Sequence, residues 1–199
     1  MIPRFYDATK GEVLVNGTNV KEYTEEGLRN KIGIVPQKAV LFKGTIRSNL
    51  LWGNESATEN DLMEALKQAQ SYDFVMQKEN GIDSVVEQNG RNFSGGQRQR
   101  LTIARALVRK PEILILDDSS SALDYTTDAN LRKEIAKLKD MTVFIVSQRT
   151  ASIMDADQIV VLDDGNIMGI GTHKELLENC EVYKEIYESQ FKKPEKEGM

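Results

Sequence analysis

A run of four apolar residues, Ile113-Leu114-Ile115-Leu116, ends in two adjacent carboxylates, Asp117-Asp118. A strand that is apolar at every position is buried on both faces, as strands are in a parallel sheet covered by helices. Ligands of open α/β sheets bind at the carboxyl ends of such strands, which is where this pair would sit. Further Ile- and Val-rich runs over 12–15, 31–35, 143–146 and 159–162 read as strands of the same kind. After the last of them, Asp163-Asp164-Gly165 predicts a hairpin turn into a strand over 167–170. Helical patterns lie between the strands. Residues 58–70 carry an acidic first turn and apolar Leu62, Ala65, Leu66 and Ala69, while Leu131, Ile135 and Leu138 recur at helical spacing. The alternation predicts an α/β domain with a mostly parallel sheet.

The helical stretch from 60 to 80 lies between strand-like regions and reads as a separate lobe, within a helical subdomain over about 45–110. Thr172-His173-Lys174-Glu175 has the form of a capping box, which gives His173 a structural place in a first turn. The charged residues 192–199 are expected to be a disordered tail. No internal repeat interrupts this order.

Length and charge exclude several classes. A chain of 199 residues can hold one substantial core. A net charge of -5 offers no basic surface for nucleic acid. The single cysteine, Cys180, excludes an intramolecular disulfide and a cysteine-based zinc site. No apolar run reaches the roughly 18 residues a membrane helix needs, so a membrane partner is expected outside these residues.

Two segments carry chemistry. Ser94-Gly95-Gly96-Gln97 has the outline of a capping box opening a helix that Pro111 stops. Consecutive glycines in a first turn weaken a helix by roughly 1 kcal/mol each, which a cap alone does not explain. Close approach of a phosphate to the unpaired N–H groups and positive dipole of the helix start does. At Asp117-Asp118, one carboxylate can hold magnesium and the next can polarise an attacking water. Taken alone, Asp-Asp-Ser-Ser-Ser serves equally well as a polar turn into a helix capped near Asp124.

In order and spacing, Phe93 to Arg100, the following helix, Pro111, Ile113-Leu114-Ile115-Leu116-Asp117-Asp118 and Ser121-Ala122-Leu123-Asp124 resemble the signature, Walker B and D-loop of ATP-binding-cassette (ABC) ATPases. Ile34-Val35-Pro36-Gln37 resembles the Q-loop. Residues 41–50 and 171–177 resemble the exporter branch, so the resemblance spans nearly the whole chain. It implies a P-loop NTPase-like ABC fold that uses ATP and Mg2+. Asp117 and Gln37 would contact the metal, and Gln37 would also report to a transmembrane domain. Ser94, Gly95, Gly96 and Gln97 would complete the nucleotide site of a second ABC nucleotide-binding domain paired head to tail. Asp124 would help couple the two sites.

Three departures qualify the resemblance. No Gly-x-x-x-x-Gly-Lys-Ser/Thr occurs in the chain. The fold is therefore expected to be incomplete at its N-terminus, with residues 1–191 forming a partial nucleotide-binding domain. Unpaired strand edges, marginal stability and inactivity of the isolated chain are expected with it. Asp118 stands where hydrolysing relatives usually have glutamate, and Gln148 where they usually have a switch histidine. Both catalytic-position changes fall on the chain's own site and spare the signature, a combination that resembles the degenerate half of a heterodimeric exporter. Such a half works at the cytoplasmic face of the cell membrane. The competing readings are a soluble ABC ATPase acting on nucleic acid or ribosomes, and an inactive fragment. Against the soluble ATPase stand the exporter-like residues 42–46 and the lack of a long heptad insertion.

Overall fold

The computed structural model describes residues 1–191, and the tail expected over 192–199 lies outside the described residues. The fold divides after Val146 into two units. In the first, β1 (Leu14–Val15) turns through Asn16 and Gly17, both at positive φ, into β2 (Thr18–Asn19). Thr24 accepts from the Gly27 N–H to start α1 (Glu25–Asn30), which leads into β3 (Ile32–Val35). A short strand, β4 (Gly44–Thr45), runs straight into α2 (Ile46–Leu51), started by a Thr45–Ser48 capping box. A second capping box, Thr58 with Asp61, opens α3 (Glu59–Gln68), whose Leu62, Ala65 and Leu66 are buried at helical spacing. After α4 (Tyr72–Met76), β5 (Val85–Val86) closes antiparallel on β4. The longest helix, α5 (Gly95–Val108), leads to β6 (Ile113–Asp117), then α6 (Tyr125–Ile135) and β7 (Thr142–Val146).

Strands β3, β6 and β7 form a parallel sheet in that order, with Ile34 opposite Ile115 and Ile115 opposite Phe144. Central β6 is apolar throughout because its two faces serve different cores. Leu114 and Leu116 enter the large core shared with Leu62, Leu66, Leu101 and Ile103 of the helices. Ile113 and Ile115 pack against Val15, Val20, Leu28 and Ile32 on the other side. Residues 45–110, the expected helical subdomain, lie wholly within this first unit, and their helices contribute to the same core as β6. Backbone crowding fixes one residue here, since a Cβ on Gly53 would stand 2.1 Å from the Arg105 carbonyl oxygen.

The second unit contains β8 (Ile159–Asp163), β9 (Asn166–Gly171), α7 (His173–Asn179) and α8 (Glu181–Phe191). Asp164 and Gly165 both adopt positive φ in the turn, the pairing a type I′ hairpin requires. Ile159, Val161, Leu176, Cys180 and Tyr183 form its core.

Three strand expectations are corrected. The run at 12–15 yields only Leu14–Val15, paired antiparallel with β2 and outside the parallel sheet. Residues 159–162 pair with β9 in the expected hairpin, but outside the parallel sheet and with one face buried, Ile159 and Val161, while Val160 and Leu162 face outward. Finally, β7 pairs only with β6 among the described residues and is half-buried on one face, with Phe144 42% and Val146 56% exposed on the other. A short run apolar on both faces does not encode which neighbours it has, so period-2 reasoning could not separate these cases.

Candidate nucleotide site

The carboxyl ends of β3 and β6 bring two candidate residues together across 81 positions of sequence: Gln37 Nε2 donates to Asp118 Oδ2 at 3.1 Å. Asp117 is the last residue of β6 and is exposed. Asp118 leaves the strand at φ 42, in the left-handed region that aspartate tolerates better than most residues. Its N–H donates to the Val146 carbonyl at 2.8 Å, and its own carbonyl accepts from Ser121 Oγ at 2.9 Å. Ser119 and Ser120 are buried beneath the turn. Asp-Asp-Ser-Ser-Ser is thus a polar turn that leaves Asp117 exposed and Asp118 half-buried against Gln37.

The donor chemistry fits magnesium. That ion is usually held by one or two carboxylates together with substrate phosphates, and Asp117 and the Gln37 carboxamide offer hard oxygens of this kind. Half-buried Asp118 differs, because one of its oxygens already accepts from Gln37.

At the start of α5, Ser94 Oγ accepts from the Gln97 N–H at 3.2 Å, and Gln97 Oε1 accepts from the Ser94 N–H at 3.1 Å. Helix geometry leaves the N–H groups of Gly95 and Gly96 pointing out of the N-terminus. The two glycines have different reasons to be glycine. A Cβ on Gly95 would meet nothing within 4 Å, whereas one on Gly96 would stand 3.2 Å from the Ala122 carbonyl oxygen and 3.7 Å from Leu123 Cδ2. The Cα of Gly95 faces open space, whereas that of Gly96 packs against the loop that follows Asp118, with the N–H groups of both still at the helix start.

Two arginines that sequence reasoning passed over hold this helix start in place. Arg98 Nη1 donates to the Phe93 carbonyl at 2.7 Å. Arg100 Nη1 donates to the Gln70 carbonyl at 2.5 Å, and its guanidinium lies 4.7 Å from the Phe74 ring centroid. Burial lowers the Arg100 pKa, and the field of Asp124 opposes that shift. Their signal was two cations set close together in a helix that is otherwise apolar on its inner face.

Asp124 is the N-cap of α6. Its oxygens accept from the Thr127 N–H at 2.9 Å and the Thr127 hydroxyl at 2.7 Å. These bonds hold its carboxyl below the usual range. Gln148 belongs to the second unit, where its side chain is exposed and its backbone carbonyl accepts from Gln190 Nε2 at 2.7 Å. His173 Nδ1 lies 2.8 Å from the Tyr183 hydroxyl, inside the packing of the second unit.

A family model described as ABC transporter matches residues 1–121. An "Uncharacterized ABC transporter ATP-binding protein" of Bacillus subtilis (strain 168) is 47% identical over 191 residues, covering 96% of this chain and 33% of that protein. A protein of Staphylococcus aureus (strain NCTC 8325 / PS 47) named "Putative multidrug export ATP-binding/permease protein" is 42% identical over the same length, again 96% of this chain and 33% of that protein. The chain thus spans about a third of the length of these relatives. A solved structure of a bacterial Atm1-family ABC exporter with ATP bound superposes with a TM-score of 0.92 at 35% identity, over 98% of this chain and 34% of that one. With its aspartate pair at the end of a parallel strand and its serine-capped glycine helix, this chain belongs to the ABC transporter family, as an ATP-binding domain homologous to those of exporter ATP-binding/permease proteins.

Proposed function

We propose that these residues are one motor half of an ABC exporter, which pairs with a second nucleotide-binding domain and couples ATP hydrolysis to transport through a transmembrane domain at the cytoplasmic face of the membrane. The observation that carries the proposal is the separation of two half-sites on one chain: Gln37 bonded to Asp118 at the sheet, and the open N-terminus of α5 at Ser94 and Gly95. Two chains paired head to tail would each complete the other's site. Asp117 and Gln37 would hold magnesium, which supplies charge neutralisation on the phosphates when bound. Ser94 and the N–H groups of Gly95 and Gly96 would face the phosphates held by the partner, with the dipole of α5 adding to the attraction.

The chain's own site is weakened and its contribution to the partner's site is intact. A general base must come within roughly 2.6–3.2 Å of the proton it takes, and Asp118 is one methylene shorter than glutamate. Gln37 further ties one of its oxygens. Gln148 can donate a hydrogen bond to a phosphate but cannot titrate. This asymmetry favours a heterodimer whose partner carries the competent site.

The test uses the membrane-embedded exporter containing this chain and its partner. Ser94→Arg should sharply reduce ATP hydrolysis, because it blocks the site where turnover occurs, and Asp118→Ala should reduce it much less. Equal losses would sink the asymmetric assignment while leaving the family unaffected.

A further inference from the structure

One glutamine of α8 spends most of its hydrogen-bonding capacity on the segment that follows β7. Gln190 Nε2 donates to the Gln148 carbonyl at 2.7 Å, and Gln190 Oε1 accepts from both the N–H and the hydroxyl of Thr150 at 3.0 Å. A carboxamide offers two N–H donors and two lone pairs, so one donor and both lone pairs are engaged. Bonding the carbonyl of one residue and the N–H of the residue two further on is what the peptide group of a parallel neighbouring strand does. The side chain therefore holds the backbone around Arg149 as a strand would, although β7 has ended at Val146.

This clamp is seated firmly at both ends. On α8, Tyr183 is buried with its hydroxyl 2.8 Å from His173 Nδ1 of α7. The Tyr187 ring centroid lies 5.3 Å from that of His173 and 4.6 Å from that of Phe191, so aromatic contacts flank Gln190 along the helix. At the other end, Thr150 and Ser152 are buried in the second unit. Closer to β7, Ser147 Oγ accepts from the Arg149 N–H at 2.9 Å. Between these fixed points the side chain of Gln148 stays exposed, while its backbone is held from α8.

We infer that Gln190 is a positioning residue for Gln148: by gripping the Gln148 carbonyl and Thr150, α8 sets the direction from which the Gln148 carboxamide meets the terminal phosphate of ATP. The inference rests on the role proposed above for Gln148 at the chain's own site. An unheld segment would spread that carboxamide over many orientations, and binding would have to order it first. α8 thus takes part in nucleotide binding without touching nucleotide.

The test uses the membrane-embedded exporter containing this chain and its partner, with photoreactive azido-ATP. Irradiation tags the chain whose site holds the adenine, so a gel separates this chain from its partner. Bound label is chased with unlabelled ATP for increasing times before irradiation, which gives the rate of release from this chain's own site. Gln190→Glu keeps an acceptor for Thr150 and loses the donor to Gln148, so α8 stays docked while the Gln148 carbonyl is freed. It should speed release about two- to tenfold, the factor that loss of one ordinary hydrogen bond corresponds to. Gln190→Ala should speed release at least as much, and should also raise hydrogen exchange at the Thr150 amide, which loses its acceptor. In a Gln148→Ala background neither substitution should have a further effect on release, because a positioning residue acts only through the side chain it positions. Unchanged release in both Gln190 variants, unchanged exchange at Thr150 in Gln190→Ala, or an equal acceleration in the Gln148→Ala background would each overturn the inference and leave the reading of the site intact. Unchanged release in Gln148→Ala alone would overturn that reading, and the inference with it.

Discussion

Replacing Gly95 and Gly96 singly by alanine separates two kinds of glycine that are adjacent in sequence. Each substitution gains the same backbone term, up to about 1 kcal/mol when glycine becomes alanine in a helix, less so in the first turn. Gly95→Ala places its methyl where nothing lies within 4 Å, so it should be neutral or stabilising by a few tenths to about 1 kcal/mol. Gly96→Ala sets the same methyl 3.2 Å from the Ala122 carbonyl oxygen and 3.7 Å from Leu123 Cδ2, on a loop whose neighbour Ser120 is buried. Overpacking of that kind costs about 1–3 kcal/mol, so the two variants should differ by about that amount. Trp52 is the sole tryptophan, half of a stacked pair with Phe42 in the first unit, and reports the unfolding of the body that contains α5. At an m-value of about 2 kcal/mol/M, the urea midpoints should lie roughly 0.5–1.5 M apart, with Gly96→Ala the lower. Coincident midpoints, or Gly95→Ala as the less stable, would refute the assignment of Gly96 to packing.

Two further perturbations test the fold. Gly53→Ala brings a methyl to 2.1 Å from the Arg105 carbonyl oxygen, a backbone atom of α5 that cannot turn aside. It should cost at least the upper part of the 1–3 kcal/mol range in urea unfolding, and a loss below about 0.5 kcal/mol would show that the α2–α5 approach is looser than described. Acid should act through carboxyls held below their ordinary pKa: Asp61 by Lys110 and Thr58, Asp83 by Arg47, and Glu112 by Lys31 and Asn16. Since their native values lie below the unfolded ones, the stabilisation is complete above the unfolded carboxylate range and is lost as pH falls through the native values. Thermal midpoints should be level from neutrality to about pH 5 and fall below about pH 4, with a shallower fall in Asp61→Asn. An equally steep fall in that variant would remove Asp61 from the account.

Local signals carried much of this from sequence. The capping boxes at Ser94 and Thr172 both form, because each needs only four consecutive residues and the rules of a helix start. The aspartate pair lies at a parallel strand end, since an apolar run bounded by carboxylates leaves few other places for it. What local pattern could not supply was pairing. The turn at Asp163-Asp164-Gly165 announces that 159–162 pairs with the next strand, but nothing in 143–146 says that β6 is its neighbour. The Gln37–Asp118 bond spans 81 positions, and no local pattern announces it. Arg98 and Arg100 were missed for a related reason. Their partners are backbone carbonyls, which every residue carries and no sequence pattern marks.

Gly96 and Ala122 touch where the chain's two contributions to nucleotide chemistry come nearest each other. One side of that contact is the cap of α5, which the proposed pairing would turn toward a neighbouring subunit; the other is the loop that begins at Asp118. A methyl added at Gly96 would stand only 3.2 Å from the Ala122 carbonyl oxygen, so a shift of the loop toward α5 soon presses on the helix start. In the proposed pair of domains, residues 118 to 122 would form a short and firm path by which the occupant of one pocket bears on the other.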